Sequence, residues 1–212
     1  MKKLVVYKLL IVVIMSLVWA YYYNLLPDTV PIHWDFEGKP DRMWSKLMHL
    51  LMFPIISLWL VLLFAFLPKL DPKKENYDKF WTAWEIFQFS ILGFFFYIYL
   101  VSIFIILNPE YNISTFMMAW VWVLFIVLWN YMWKIRQNYF VGIKLPWTLA
   151  NEEVWNKTHR FGGKMFMLAW FMFIVNAYFL RQVVGVFVVA ISLAVIAPIV
   201  YAYLVFKKIK NK

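Results

Sequence analysis

The chain of 212 residues is 65% hydrophobic and only 15% charged, with a mean hydropathy of +0.70. An ordinary soluble domain carries about a quarter charged residues, so this composition excludes a water-facing globule and points to a membrane protein. The formal charge of +10 does not indicate direct nucleic-acid binding, because the basic residues are dispersed over every connection rather than gathered on one basic helix or aromatic platform.

Six apolar blocks follow one another: Leu9 to Leu26, Leu47 to Leu67, Ile86 to Leu107, Phe116 to Trp133, Met165 to Leu180 and Val183 to Phe206. Each approaches the roughly 20 residues that a helix needs to cross a bilayer, so six spans are the simplest count. The first block follows "MKK" and is trailed by bulky "YYYNLLP" instead of small cleavage-site residues. It reads as a retained helix, not a secretory signal. After it comes "PDTVPIHWDFEGKPDRMWSK", where Pro27, Pro31, Pro40 and Gly38 oppose a continuous helix and favour extended pieces and turns. Trp34 and Trp44 suit the headgroup level there, and the aromatic richness of the whole chain fits girdles and helix contacts. Pro54 and Pro198 interrupt the second and sixth blocks as candidate kinks, Asn108 and Pro109 open a short connection, and Arg181 with Gln182, or alternatively Gly185, marks the break before the last block. Glycine-spaced small-residue patterns are nearly absent, so large aromatic and aliphatic contacts are expected between helices.

The longest polar passage is "GIKLPWTLANEEVWNKTHRFGG", residues 142–163. Pro146 restrains Trp147, Thr148 or Asn151 is a helix cap, and Glu152 and Glu153 favour a first turn. A short interfacial helix from Asn151 to about Arg160 is expected, with Trp155 at the interface, Lys157 and Arg160 toward headgroups or water, and a bend at Gly162 and Gly163.

With six spans, Lys and Arg number seventeen on the side of both termini and of residues 68–80 and 134–164, against four on the other side, Arg181 among these. That bias places both termini in the cytoplasm, and the "FKKIKNK" tail is drawn to anionic membrane lipids. The reading is an all-α protein of the cell membrane: a six-helix transmembrane bundle with a short structured outer cap and a cytoplasmic interfacial helix.

Few residues suggest chemistry. Glu85 stands at the edge of an apolar block, three positions from Gln88 and so on the same helix face; with Asn130 they are expected to form one inner polar cluster, while Asn176 lies toward the other membrane face. Such groups either relay protons and cations or bond neighbouring helices. His33 and His49 are separated from His159 by the membrane, so the three do not share a metal. His33, Asp35, Glu37 and Asp41 offer ligands without a spacing that fixes a site. The absence of cysteine excludes disulfides and thiolate chemistry, and no zinc-protease helix, phosphate loop or serine elbow occurs. No cofactor and no catalysis are expected; a lipid-modifying reaction at His33 and Asp35 has no motif behind it. A small transporter or channel using Glu85 and Asn130 is the alternative from another class.

"LPDTVPIHWDFEGKPDRMWSK" resembles the outer motif of the DUF1648 family, and "NYFVGIKLPWTLANEEVWNKTHRFGG" resembles the cytoplasmic signature of the SdpI family of membrane immunity proteins, which protect a producer from a secreted killing peptide. The resemblance divides the chain into a DUF1648-like region, residues 1–67, and an SdpI-like membrane region, residues 68–212. It implies recognition landmarks at Pro31, His33, Trp34, Gly38 and Asp41 outside. Inside, it implies landmarks at Asn138, Gly142, Pro146, Trp147, Thr148, Glu153, Trp155, His159, Arg160 and Gly162. Lys144 and Leu145 stand where many members carry Arg and Thr, and Lys lacks the guanidinium fork. The implied role is a non-enzymatic receptor for a secreted peptide toxin that, in the best-known member, also holds a cytoplasmic transcriptional repressor. The inner stretch is then a docking surface or, on the alternative reading, a lock in which Arg160 pairs with Glu153 or Glu85.

Overall fold

The computed structural model describes residues 2–35, 38–179 and 184–211. Glu37, Arg181 and Gln182, on which parts of the metal and charge readings rested, lie outside the described residues. The elements in order are α1 (Lys2–Tyr22), β1 (Thr29–Trp34), β2 (Pro40–Ser45), α2 (Lys46–Leu70), α3 (Tyr77–Leu107), α4 (Ile113–Met132), α5 (Pro146–Ala150), α6 (Glu152–Tyr178) and α7 (Val184–Lys210). A 3-10 turn, Lys74–Asn76, leads into α3.

Four stretches of helix among the described residues are long and apolar enough to cross a membrane: Leu4–Tyr22, Lys46–Leu70, Lys74–Leu107 and Val184–Lys210. The chain is therefore a multi-pass membrane protein with four such helices, which corrects the count of six. The fifth apolar block is only the second half of α6, whose first half holds Glu152, Glu153, Lys157, Arg160 and Lys164; the apolar remainder falls short of the roughly 20 residues a span requires. For the fourth block, the described apolar helix is the shorter Val123–Met132. The partition of basic residues was drawn over six spans, so its assignment of both termini to the cytoplasm loses its footing.

The chain forms two compact units. The first comprises Met1–Phe66 and Gln88–Leu124, the second Leu67–Phe87 and Phe125–Lys212. In the first unit Met15, Leu26, Val30, Leu50, Phe53, Tyr99 and Ile103 form a core drawn from α1, α2, α3 and the hairpin. The Tyr99 hydroxyl donates to the Met15 carbonyl at 3.4 Å, and the rings of Phe53 and Tyr99 lie 5.2 Å apart. Lys8 is buried within α1, and its ammonium donates to Gln88 Oε1 at 2.5 Å.

The two strands pair antiparallel, from Thr29 opposite Ser45 to Trp34 opposite Pro40, with irregular register around His33. Pro40 starts its strand, and in a two-stranded sheet every strand is an edge, where proline removes no needed donor. The turn is closed by Gly38 N–H to Asp35 O at 3.0 Å and by Lys39 N–H to the Asp35 carboxylate at 2.9 Å. Gly38 has φ +81, and a Cβ there would come within 2.6 Å of the Asn112 amide. Glycine is thus required by both conformation and space.

In the second unit α6 packs on α7 through small residues. Ala169, Ala190 and Ala194 are buried together, and α7 buries Ala190, Ala194, Pro198 and Ala202 at a spacing of four. That spacing sets them on one helix face. Close small-residue contact therefore exists here, built from alanine where the sequence reading looked for glycine. Gly162 and Gly163 do not bend the chain; α6 runs through both. A Cβ on Gly162 would lie 2.7 Å from Ile143 Cδ1 and 3.6 Å from Pro198, so packing of Ile143 and α7 offsets the roughly 1 kcal/mol that a mid-helix glycine costs. The separate interfacial helix is accordingly corrected to a short α5 followed by the first turns of a long α6.

Candidate functional site

The connection from Ile135 to Gly163 folds upon itself. Asn138 is fully buried; its Oδ1 accepts from Phe140 N–H at 2.9 Å and Val141 N–H at 2.7 Å, while its amide donates to the carbonyls of Arg136 and Val141. The Thr148 hydroxyl accepts from Leu145 N–H and reaches the Ile143 carbonyl, both at 2.8 Å. It thereby closes α5, which Pro146 begins at the position where its missing N–H costs nothing. Asn151 caps α6 by accepting from Val154 N–H at 3.0 Å.

Trp155 does not reach an interface. It is fully buried, its indole N–H donates to the Ile135 carbonyl at 2.8 Å, and its ring stacks on His159 at 4.0 Å. His159 is also fully buried. Its Nδ1 meets the Trp155 carbonyl at 2.8 Å, and its Nε2 meets the N–H of Ile143 at 2.8 Å. A carbonyl only accepts and an amide N–H only donates, so the imidazole is neutral with its proton on Nδ1. Burial outweighs the opposing effect of the Trp155 carbonyl and pushes the His159 pKa down to about 4. Gly142, at φ +124, lies against this pair: a Cβ would stand 2.4 Å from His159 Nε2 and 2.9 Å from the Trp155 ring.

Residues outside the quoted motifs complete this lock. Gln137 donates from Nε2 to the carbonyls of Thr148 and Leu149 at 2.7 and 2.8 Å, and its Oε1 accepts from Lys73. Asp71 Oδ2 accepts from Tyr139 N–H at 2.9 Å and from the Tyr77 hydroxyl at 3.2 Å. Sequence reading counted Lys73 only as a loop charge and passed over Asp71 and Gln137; the "LDPKKEN" turn, with its Asp-Pro, was the available signal. Exposed charges in the connection include Lys144, Glu152, Glu153, Lys157 and Arg160. Glu153 pairs with Lys157 at 2.6 Å, and no pairing of Arg160 with a carboxylate occurs among the described residues. Trp147 is half-buried, with its ring 5.6 Å from that of Tyr203.

The hairpin is arranged differently. His33 and Asp41 form an exposed pair at 2.6 Å, while Trp34 packs on Val101, Ile105 and Ile113. Beneath them is a largely apolar cavity of about 280 Å³ that includes Trp34, Asp35, Phe53 and Ile98. His49 lines it and is 1% exposed. Ser102 Oγ donates its single hydrogen to the Tyr99 carbonyl at 2.7 Å, so at 3.1 Å it accepts from His49 Nε2–H. Nδ1 is then an acceptor, and it has no hydrogen-bond partner among the described residues.

Glu85 is buried, Asn130 is exposed, and Gln88 is bonded to Lys8. Asn176 is fully buried in α6. No group of three or more candidate metal ligands occurs among the described residues.

Residues 134–202 match the model of the SdpI/YfhL protein family, and residues 10–58 match a domain of unknown function, DUF1648. The chain is also similar to the protein named Immunity protein SdpI of Bacillus subtilis (strain 168), at 27% identity over 212 residues, covering 100% of this chain and 99% of that one. No solved structure matches it.

Proposed function

We propose that this chain, a member of the SdpI/YfhL protein family with a DUF1648 region at its start, is a membrane immunity protein that protects its cell from a secreted peptide toxin met at the hairpin. The observation that carries this reading is the similarity to an immunity protein along the full length of both chains. Protection by capture needs contact area and no bond chemistry, and the chain is accordingly not an enzyme. The hairpin cavity supports the reading: an apolar toxin side chain bearing an N–H or O–H would fill it and satisfy His49 Nδ1. A finer part of the proposal is that a cytoplasmic repressor docks on the surface charges Lys144, Glu153, Lys157 and Arg160. Their exposure beside a locked backbone supports it, since a rigid base holds contact residues in place.

The test expresses the chain in a toxin-sensitive strain and challenges it with the peptide encoded nearby. Survival is expected, with loss of protection for His33→Ala at unchanged membrane abundance. Unchanged killing by the peptide, with the wild-type protein verified in the membrane, overturns the assignment. Sidedness is tested by impermeant thiol labelling in this cysteine-free chain. The repressor part requires Arg42→Cys to react from outside and Lys144→Cys only after the membrane is opened, hence a crossing between them beyond the two that α2 and α3 supply; reaction of both from outside overturns it.

A further inference from the structure

A second cavity, of about 320 Å³, lies wholly within the second unit, where the start of α3, the chain after α4 and the first turns of α6 meet. Lys79, Lys134, Arg136 and Arg160 line it, with Asp78 as the one carboxylate. Among the described residues none of the four cations has a carboxylate partner. Lys79 donates to Asn76 at 2.8 Å, Lys134 lies over the rings of Tyr131 and Trp133, and Arg136 reaches Asn156 at 3.5 Å. Four positive groups around one small space repel one another unless an anion sits among them.

Phe80 leaves helical geometry, with φ −135 and ψ 24, and a kink in α3 therefore sits beside the cavity, which Trp81, Thr82 and Ala83 also line. Two guanidinium groups, whose forked donors match phosphate oxygens, complete the set.

The neighbouring space decides what carries the phosphate. Trp133 and Arg160 also border an open groove of about 580 Å³ that continues past Trp129 and Gly163 to Met167, and its walls are mostly apolar. A cationic cup opening into an apolar groove fits a charged head joined to a hydrocarbon chain. Two tryptophans line the cup, Trp81 and Trp133, and tryptophan favours headgroup depth. The geometry points to a binding site for an anionic phospholipid, its phosphate held by Arg136, Arg160, Lys79 and Lys134 and one acyl chain lying along the groove to Met167.

This inference is independent of the toxin, and its test uses the purified full-length protein in detergent. Lipid retention is read by native mass spectrometry with phosphatidylglycerol and phosphatidylcholine of identical chains. Retention of phosphatidylglycerol is expected to exceed that of phosphatidylcholine about tenfold or more, because basic residues favour an anionic head. Arg136→Gln with Arg160→Gln should abolish the preference, whereas Lys207→Gln with Lys208→Gln in the tail should keep it. Equal retention of the two lipids by the wild type overturns the proposal without any variant, and so does an unchanged preference in the double arginine variant. Short-chain phosphatidylglycerol and inorganic phosphate separate the sources: weak retention of the first and no displacement by the second support a lipid, while full displacement by inorganic phosphate overturns it.

Discussion

The hairpin of the first unit and the 135–163 connection of the second are both polar inserts in an apolar chain, and they use their polarity in opposite ways. In the connection, Asn138, Thr148, Trp155 and His159 are buried and bonded to nearby backbone, so their polar groups fix the course of the chain. In the hairpin, His33 and Asp41 stay exposed, and in the cavity beneath it the buried His49 of α2 has an acceptor left over. A buried polar group that is fully bonded specifies structure; one with unused capacity beside a cavity is able to accept something else. The motif richest in polar residues is therefore the scaffold, and the proposed recognition surface is the sparser hairpin.

That contrast breaks if the connection tolerates truncation. Trp155→Ala should destabilise the protein by about 3–5 kcal/mol, the usual range for removing a buried aromatic. Denaturant unfolding in micelles would show it as a lowered midpoint and reduced membrane abundance. A loss below about 1 kcal/mol would mean that the buried tryptophan is not a scaffold residue.

The pH dependence sharpens the same point. His159 has its folded pKa pushed down to about 4 from an ordinary value of 6.5, so the unfolded chain binds the extra proton first. Stability is then fully present above about pH 6.5 and falls as the pH drops toward 4, by at most about 3 kcal/mol. His159→Gln should flatten this slope over the same window in unfolding curves. A slope that survives the substitution would assign it to another group.

The smallest effect on stability belongs to the hairpin. His33→Ala breaks an exposed pair and should cost less than about 1 kcal/mol, while survival under toxin challenge drops. If unfolding and protection fall together, the hairpin is a structural element like the connection, and the comparison fails.

Much of the helical fold was legible in the sequence, because long apolar blocks have few alternatives; α1, α2, α3 and α7 lie where those blocks lie. The extra spans came from measuring apolar length without asking where each helix begins. α6 starts at Glu152, and its charged turns belong to the same helix as Met165. Gly162 and Gly163 suggested a bend because glycine's helix cost is local, whereas the packing of Ile143 and Pro198 that offsets it is tertiary. Trp155 suggested an interface for the same reason: its hydrogen-bond partner, the Ile135 carbonyl, is twenty residues away. Proline and glycine signalled a non-helical hairpin segment directly, since they act on backbone dihedrals, but nothing in the spacing of His49 and Ser102 announced that they meet.

Lys8 gives the first unit a timetable. Its acceptor, Gln88, is eighty positions further along the chain. At a translation rate of roughly 5–20 residues per second, that gap takes roughly 4 to 16 seconds to emerge from the ribosome. Through this interval the ammonium group on α1 has no glutamine to bond, and a lysine inside hydrocarbon is costly by itself. The native contact of α1 with α3 is therefore completed only after α3 has emerged, and this order of assembly is written into one side chain near the beginning of the chain.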